Sequence, residues 1–329
     1  MNVRVSSVAV SFALFASGAT ADPGGDAIPS GRPVLWHARS DVRRLDLVYG
    51  PGGREGAPRN PFQFKKEDLG QSSPKYEVVD ANGVKWKVKL GQEAQPETAA
   101  NRLLWAMGYS TADLYYLPEI RVTGVPTKLK RGREFVDADG TMHGARFKRE
   151  PEGSEKIGHW QWKHNPFQGT REFNGLRTLM ALLNNWDLKD ENTAIVREGN
   201  APVYQVSDLG ASFGTAGYAY PERKSKGNLD EYRRAKFVCR LEPREVDFCS
   251  PARTAIVRAV AIKEFIQRWH MRWIAHDIPR ADARWMGEQL SQLTAKQIRD
   301  VFRAAGYGAN DVEAFAQVVE HRIGELTEL

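Results

Sequence analysis

From Pro61 onward the apolar and polar positions fall into readable periods. Phe62–Lys66, Tyr76–Asp80 and Val84–Leu90 read as strands, the last two joined by Asp80-Ala81-Asn82-Gly83, whose Asn-Gly pair favours a tight hairpin. In Val84–Leu90 the alternation puts Trp86, Val88 and Leu90 on one face and Lys85, Lys87 and Lys89 on the other. A row of lysines therefore looks away from the apolar core. Pro96 and Glu97 open a helix whose positions Ala100, Leu103, Leu104 and Met107 keep a 3.6-residue period, and Gly108 ends it. Leu114–Val122 and Ala145–Lys148 are strand-like. From about Pro151 the pattern turns helical, with Thr170 as a cap and Phe173, Leu176, Met180 and Leu183 on one face of a helix leading into Asp187. Val203–Val206 is a further strand, and the C-terminal third reads as helices. One carries Ile262, Phe265, Ile266, Trp269 and Trp273. Another opens with the capping box Thr294-Ala295-Lys296-Gln297, and a last one has Asn310 and Glu313 in the same relation.

Composition adds a front end to this picture. Residues 22–60 are rich in Gly and Pro, including Gly50-Pro51-Gly52-Gly53, and read as a loop-rich N-terminal segment whose glycines are structural. Residues 1–21 have the form of a signal peptide: Arg4, an apolar run from Val5 to Ala16, then Ala19-Thr20-Ala21. Cleavage near Ala21 and a periplasmic or secreted destination are expected. No later window supplies the roughly 18 uncharged apolar residues of a membrane span, so the chain is expected not to span a membrane. Cys239 and Cys249 are the two cysteines, and either a disulfide or two buried thiols suits them. The formal net charge of +6 suits an anionic ligand, with clusters at Lys128–Arg133 and Arg223–Lys226. No zinc-knuckle, helix-turn-helix or aromatic RNA-binding signature accompanies that charge, so no nucleic-acid partner is expected.

The residues that carry chemistry lie between these elements. Asp187-Leu188-Lys189-Asp190-Glu191-Asn192 follows a helix, and Ser207-Asp208-Leu209-Gly210 ends a strand. An Asp five residues before an Asn, followed by Asp-x-Gly, is the layout that phosphoryl transfer needs: one carboxylate for the acceptor hydroxyl, two oxygen ligands for a metal on the phosphates. Taken singly, these residues are a helix terminator, turn residues and solvated lysines.

Taken together they resemble the protein-kinase-like superfamily. Asp187–Asn192 is similar to the Asp-Leu-Lys-Pro-Glu-Asn catalytic loop of serine/threonine kinases, with Asn185-Trp186 in place of the His-Arg before the Asp. Lys89-Leu90-Gly91-Gln92-Glu93-Ala94-Gln95-Pro96-Glu97 resembles the phosphatidylinositol-kinase run Lys-x-Gly-Asp-Asp-Leu-Arg-Gln-Asp. The matched stretch covers roughly residues 62–214, and the leader resembles that of exported kinase-like proteins of bacteria. The resemblance implies an α+β, bilobal fold: a small antiparallel β-rich N-lobe with one helix over residues 61–150, and a larger, mainly helical C-lobe over residues 151–329. It implies ATP with Mg²⁺ or Mn²⁺. Lys89 would hold the phosphates, oriented by Glu97, with Lys87 and Glu93 as alternatives to each. Asn192 and Asp208 would hold the metal, Asp187 would orient the acceptor hydroxyl, and Lys189 would reach the transferred group. Gly70, Ser72 and Ser73 would form the phosphate-covering loop.

The implied function is an exported kinase whose hydroxyl acceptor is protein Ser/Thr, a glycan or small molecule, or a lipid headgroup. A pseudokinase that binds nucleotide or a partner, and nucleotidyl transfer on the same fold, are the alternatives. Two rival constellations have less support. Gly210-Ala211-Ser212-Phe213-Gly214 matches a hydrolase nucleophile elbow, but turn-like residues follow it where the elbow needs a helix. His159 and His164 flank Trp160 and Trp162 without a carboxylate or Cys pattern for zinc.

Overall fold

The computed structural model describes residues 30–70, 73–149, 153–214, 226–249 and 271–329. The expected leader over 1–21, Ser72 and the helix expected over Ile262–Trp269 lie outside the described residues. Five strands close into a barrel: β1 (Phe62–Asp68), β2 (Lys75–Val79), β3 (Lys85–Lys89), β4 (Asp113–Thr123) and β5 (Thr141–Arg149), in the order β1-β2-β3-β5-β4. Neighbours are antiparallel except β1 and β4, which meet in parallel over Phe62 and Gln63. Alternation sends Tyr76, Val78, Trp86, Val88 and Phe147 into the barrel core. The opposite face of β3 carries Lys85, Lys87 and Lys89, as its pattern predicts. The Asn82-Gly83 turn forms as expected, with Asp80 Oδ1 accepting from the backbone N–H of Asn82 and Val84.

Helix α1 (Ala94–Ala106) opens two residues before Pro96. Its buried face joins the core of the C-terminal region: Ala99, Ala100, Leu103 and Leu104 share one apolar cluster with Phe173, Leu179, Phe302 and Phe315, while the barrel keeps its own. The apolar side chains thus divide at the barrel wall and not at residue 150. Residues 30–60 also belong to the larger core. Leu35, Val42 and Leu47 are buried, and Val34 exchanges backbone hydrogen bonds with the chain at Pro202 and Tyr204. This region is loop-rich, as its composition indicates, but it is packed down.

After the barrel come β6 (Ser154–Gly158), α2 (Arg171–Leu182), β7 (Thr193–Glu198) and β8 (Ala201–Val206), with the strands paired antiparallel in the order β6-β7-β8. The helical pattern expected from about Pro151 is corrected here: a strand precedes the helix, because pairing with β7 overrides a weak local period. Thr170 caps α2 through its side chain, as expected. The C-terminal third is not all helix. Following α3 (Leu229–Arg234), β9 (Val238–Leu241), β10 (Glu245–Phe248) and β11 (Ile278–Pro279) form a small sheet, and a Cys239–Cys249 disulfide joins its hairpin. Trp273 lies in a 3-10 turn, Arg272–Ala275. Helices α4 (Arg280–Leu290), α5 (Ala295–Ala304) and α6 (Ala309–Thr327) complete the chain.

The capping box at Thr294 and Gln297 is formed. That expected at Asn310 is not: α6 starts earlier, with Gly308 at its N-cap and no side-chain cap. The architecture is mixed α and β, with a sheet-rich first part and six helices among the described residues. Among the described residues no helix is long and apolar enough to cross a membrane.

Candidate active site

The end of β3 delivers Lys89 into the interior. Gly91 takes a left-handed φ of 89° that turns the chain into α1, so that Glu93 and Glu97 fold back over the lysine. Lys89 Nζ lies 2.7 Å from a Glu97 carboxylate oxygen, 2.9 Å from Glu93 and 3.4 Å from Asp208. Burial alone would lower the pKa of this ammonium, but Glu97, Asp208 and Glu93 outweigh it and hold the pKa above its ordinary value. Both acids proposed as its partner from the sequence engage it. Lys87 does not: it is exposed, one alternation outward on the same face.

Two residues absent from the sequence-based site complete the cluster. Arg146 of β5 stands opposite Lys89 in the sheet register and donates to Glu97 at 3.0 Å. The alternation Ala145, Phe147 inward against Arg146, Lys148 outward was a signal for it. Lys226 pairs with Glu93, and its ammonium sits 5.9 Å from the centre of the Trp186 ring. Burial would raise the pKa of Glu93, and Lys89 and Lys226 instead hold it below the usual carboxylate range. Asp208 is likewise held low, Lys89 overcoming the cost of burial.

Asp187, Lys189 and Asn192 are set by α2 and by the β7–β8 register. Asn184 takes a left-handed φ of 52° at the end of α2, a conformation Asn tolerates, and redirects the chain. Asn185 then accepts from the backbone N–H of Asp187 at 3.1 Å. Thr193 pairs with Val206, so Asn192 and Ser207 lie side by side just past the paired ends. The Asn192 carbonyl accepts from the N–H groups of Ser207, at 2.8 Å, and Asp208, at 3.2 Å. The Asn192 side-chain amide donates to the Asp187 carbonyl at 2.6 Å, which leaves its Oδ1 to act as a ligand. Lys189 Nζ lies 3.0 Å from the Asp187 carboxylate. Gly210 is a packing requirement: a Cβ there would fall 2.8 Å from the Glu93 side chain.

A cleft of about 810 Å³ opens from this cluster, lined by Gly70, the lysines of β3, Lys75, Arg146, Lys148, Lys156, Ser207 and Asp208 among others. Gly70 lines it, and Ser73 donates to Glu93 at 2.8 Å. Burial and the neighbouring Lys89 lower the Lys75 pKa to about 8. Asp208 with Asn192 is a hard-oxygen pair. Among the described residues no cluster of three His, Cys, Asp or Glu could cage a metal by itself. That set fits Mg²⁺, which takes one or two protein oxygens and completes its shell with phosphate and water.

The rival constellations lose ground in the structure. Ser212 is fully buried and its Oγ has no partner, a poor position for a nucleophile. His159 is held by the Thr193 carbonyl at 2.7 Å, and His164 lines a separate cavity beside Lys189.

Compared with known proteins, the chain matches no family model and no curated protein. Among solved structures it is similar to a Helicobacter pylori proinflammatory kinase, CtkA, at 11% identity and a TM-score of 0.44, over 82% of this chain and 94% of that one. It is also similar to the Golgi casein kinase at 10% identity and a TM-score of 0.30, over 86% of this chain and 78% of that one. Both are kinases.

Proposed function

We propose that this protein is an exported, ATP-dependent phosphotransferase of bilobal, kinase-like architecture, which moves the γ-phosphoryl group to a hydroxyl acceptor with Mg²⁺ or Mn²⁺. The observation that carries the reading is the meeting of Lys89 and Glu97 with Asp208, 119 residues further on than Lys89, at 2.7 and 3.4 Å, beside Asn192 and Asp187. Little covalent work falls to the protein in such a transfer; positioning and charge neutralisation supply the rate. Lys89 would take the α- and β-phosphates, with Glu97 and Arg146 fixing its ammonium. Asn192 and Asp208 would hold the metal, which neutralises the charge of the phosphates when bound. Asp187 would orient the acceptor hydroxyl and accept its proton, and Lys189 would steady the transferred group. Gly70, Ser72 and Ser73 would cover the phosphates.

Export rests on the leader and accords with the Cys239–Cys249 disulfide, a bond that persists in oxidising compartments. Protein Ser/Thr, glycan and lipid headgroup stand as acceptors in that order. The test pairs two variants. Asp208→Ala should lose metal-dependent ATP binding, and Asp187→Ala should keep binding and lose transfer. Equal behaviour of both variants and wild type would sink the assignment.

A further inference from the structure

A second cavity, of about 410 Å³, meets the cleft at Lys89 and Asp208 through Glu191, which lines both. Leu188 to Glu191 form one of its walls, so the loop that carries Asp187 and Asn192 borders the two spaces. Lys189 belongs to that wall, and its Nζ lies 3.0 Å from the Asp187 carboxylate. The cavity therefore lies beside the group that would accept a hydroxyl proton. Hydrogen bonds hold its other two walls in place. Asp190 Oδ1 accepts from the backbone N–H of Trp162 at 3.1 Å, which ties residues 161–164 to the loop. Arg177 donates to the carbonyls of Trp273, Ile274 and His276, and so fixes the third wall, made by Met271, Trp273 and Ile274.

The lining divides by burial. Trp162, Leu188 and Ile274 are buried and Met271 and Trp273 half-buried, an apolar floor that includes two indole rings. Gln161, Lys163, His164 and Glu191 are exposed and form a polar rim. None of these four side chains has a hydrogen-bond or ion-pair partner among the described residues. The rim thus offers an amide, an imidazole, an ammonium and a carboxylate, donors and acceptors together. Lys163 and Lys189 are matched by Asp190 and Glu191, so the lining has no excess of either charge. A phosphate-bearing lipid headgroup calls instead for clustered cations. A peptide is commonly held along a sheet edge or in an extended groove, whereas among the described residues no strand contributes to this lining. A sugar ring suits both parts: its C–H face is apolar and its hydroxyls donate and accept.

We propose that this cavity is the acceptor subsite and that the acceptor is a neutral sugar ring. The proposal rests on the transfer reading above, and within that reading it sets the glycan before the protein hydroxyl. In the step it implies, the sugar hydroxyl oxygen forms a bond to the γ-phosphorus of ATP, and the bond from that phosphorus to the bridging oxygen breaks. The electron pair leaves on ADP, and the hydroxyl proton passes to Asp187.

The experiment follows label from γ-labelled ATP, with Mg²⁺ and residues 22–329, into three sets of acceptors. These are neutral pentoses and hexoses with their short oligosaccharides, Ser- and Thr-containing peptides, and phosphatidylinositol vesicles. Label should pass to members of the sugar set; a preference for free rings or for oligosaccharides then tells a free sugar from a glycan end. Gln161→Ala with His164→Ala, both at exposed positions, should raise the KM for the sugar about tenfold through two lost hydrogen bonds, with the KM for ATP unmoved. Lys128→Gln with Lys130→Gln, at exposed positions that do not line the cavity, should leave the sugar KM as it is. A sugar KM that the rim pair does not move, or that both pairs raise equally, overturns the subsite. Transfer to peptide or lipid and to no sugar overturns it too. Where no acceptor takes label, metal-dependent ATP binding that is lost in Asp208→Ala removes this proposal alone, and absence of that binding removes the transfer reading with it.

Discussion

The two halves of one face of β3 solve the same electrostatic problem in opposite ways. At the inner end Lys89 is 1% exposed and surrounded by carboxylates at 2.7, 2.9 and 3.4 Å. At the outer end Lys85 and Lys87 are exposed, and Lys87 faces another lysine across the sheet. The inner half is a preorganised ion cluster that holds its shape without a ligand. In the outer half Lys87 lies between Glu77 and Lys148, and the Lys148 ammonium donates to the Ser207 carbonyl at 3.1 Å. The difference separates a buried, ion-paired lysine from exposed ones, and it yields measurements that act on one half and spare the other.

The largest effect should come from the inner half. Asp208→Ala should reduce metal-dependent ATP binding by at least about a hundredfold, since it removes a proposed metal ligand, and calorimetry reads this directly. Asp187→Ala should leave binding within about threefold and lower turnover by roughly 10²–10⁴, read by transfer from labelled ATP. Glu97→Gln breaks a buried pair and leaves Lys89 and Arg146 facing each other. It should cost about 3–5 kcal/mol in chemical denaturation, with Glu93 and Asp208 limiting the loss.

In the outer half the sign reverses. Lys87→Gln should leave stability unchanged or raise it by up to about 0.5 kcal/mol, because it removes a like-charge pair. A clear loss of stability would show that Lys87 is as integral as Lys89. Lys75 stands beside Lys89 at the inner end and gives the smallest effect. Its pKa of about 8 lies below that of an ordinary lysine, so it loses its charge as pH rises through about 8. Folding disfavours its charged form, so its contribution to stability improves between about pH 8 and the ordinary lysine pKa of about 10.5. Anion affinity should move the other way, falling over pH 7–9 in wild type and less in Lys75→Gln.

Much of the site was legible because it follows short-range rules. The alternation in Val84–Leu90 separated the lysine face from the apolar one, Asn82-Gly83 marked the hairpin, and the period of α2 led to Asp187. For Arg146 the alternation gave its face, but its partner depends on which strand pairs with β3, a long-range choice that local pattern does not contain. Lys226 was hidden for the same reason, reaching Glu93 from 133 residues away. The choice between Glu93 and Glu97 was open in the sequence, and the turn at Gly91 brings both to Lys89.

Strands β6, β7, β9 and β10 escaped because strands of four to six residues carry little periodicity, even where, as for β7 and β10, they are central in their sheets. Residues 30–60 looked loose because Leu35, Val42 and Leu47 are spaced without a period, yet all three are buried against the helical core. The division expected at residue 150 follows chain order, whereas the apolar side chains of α1 join the core of the C-terminal region.

The most direct test of the central claim is calorimetric titration of residues 22–329 with ATP, with and without Mg²⁺, beside Asp208→Ala. The account predicts binding that requires the metal and disappears in the variant. Binding of equal strength in the variant, or none in either protein, would contradict it.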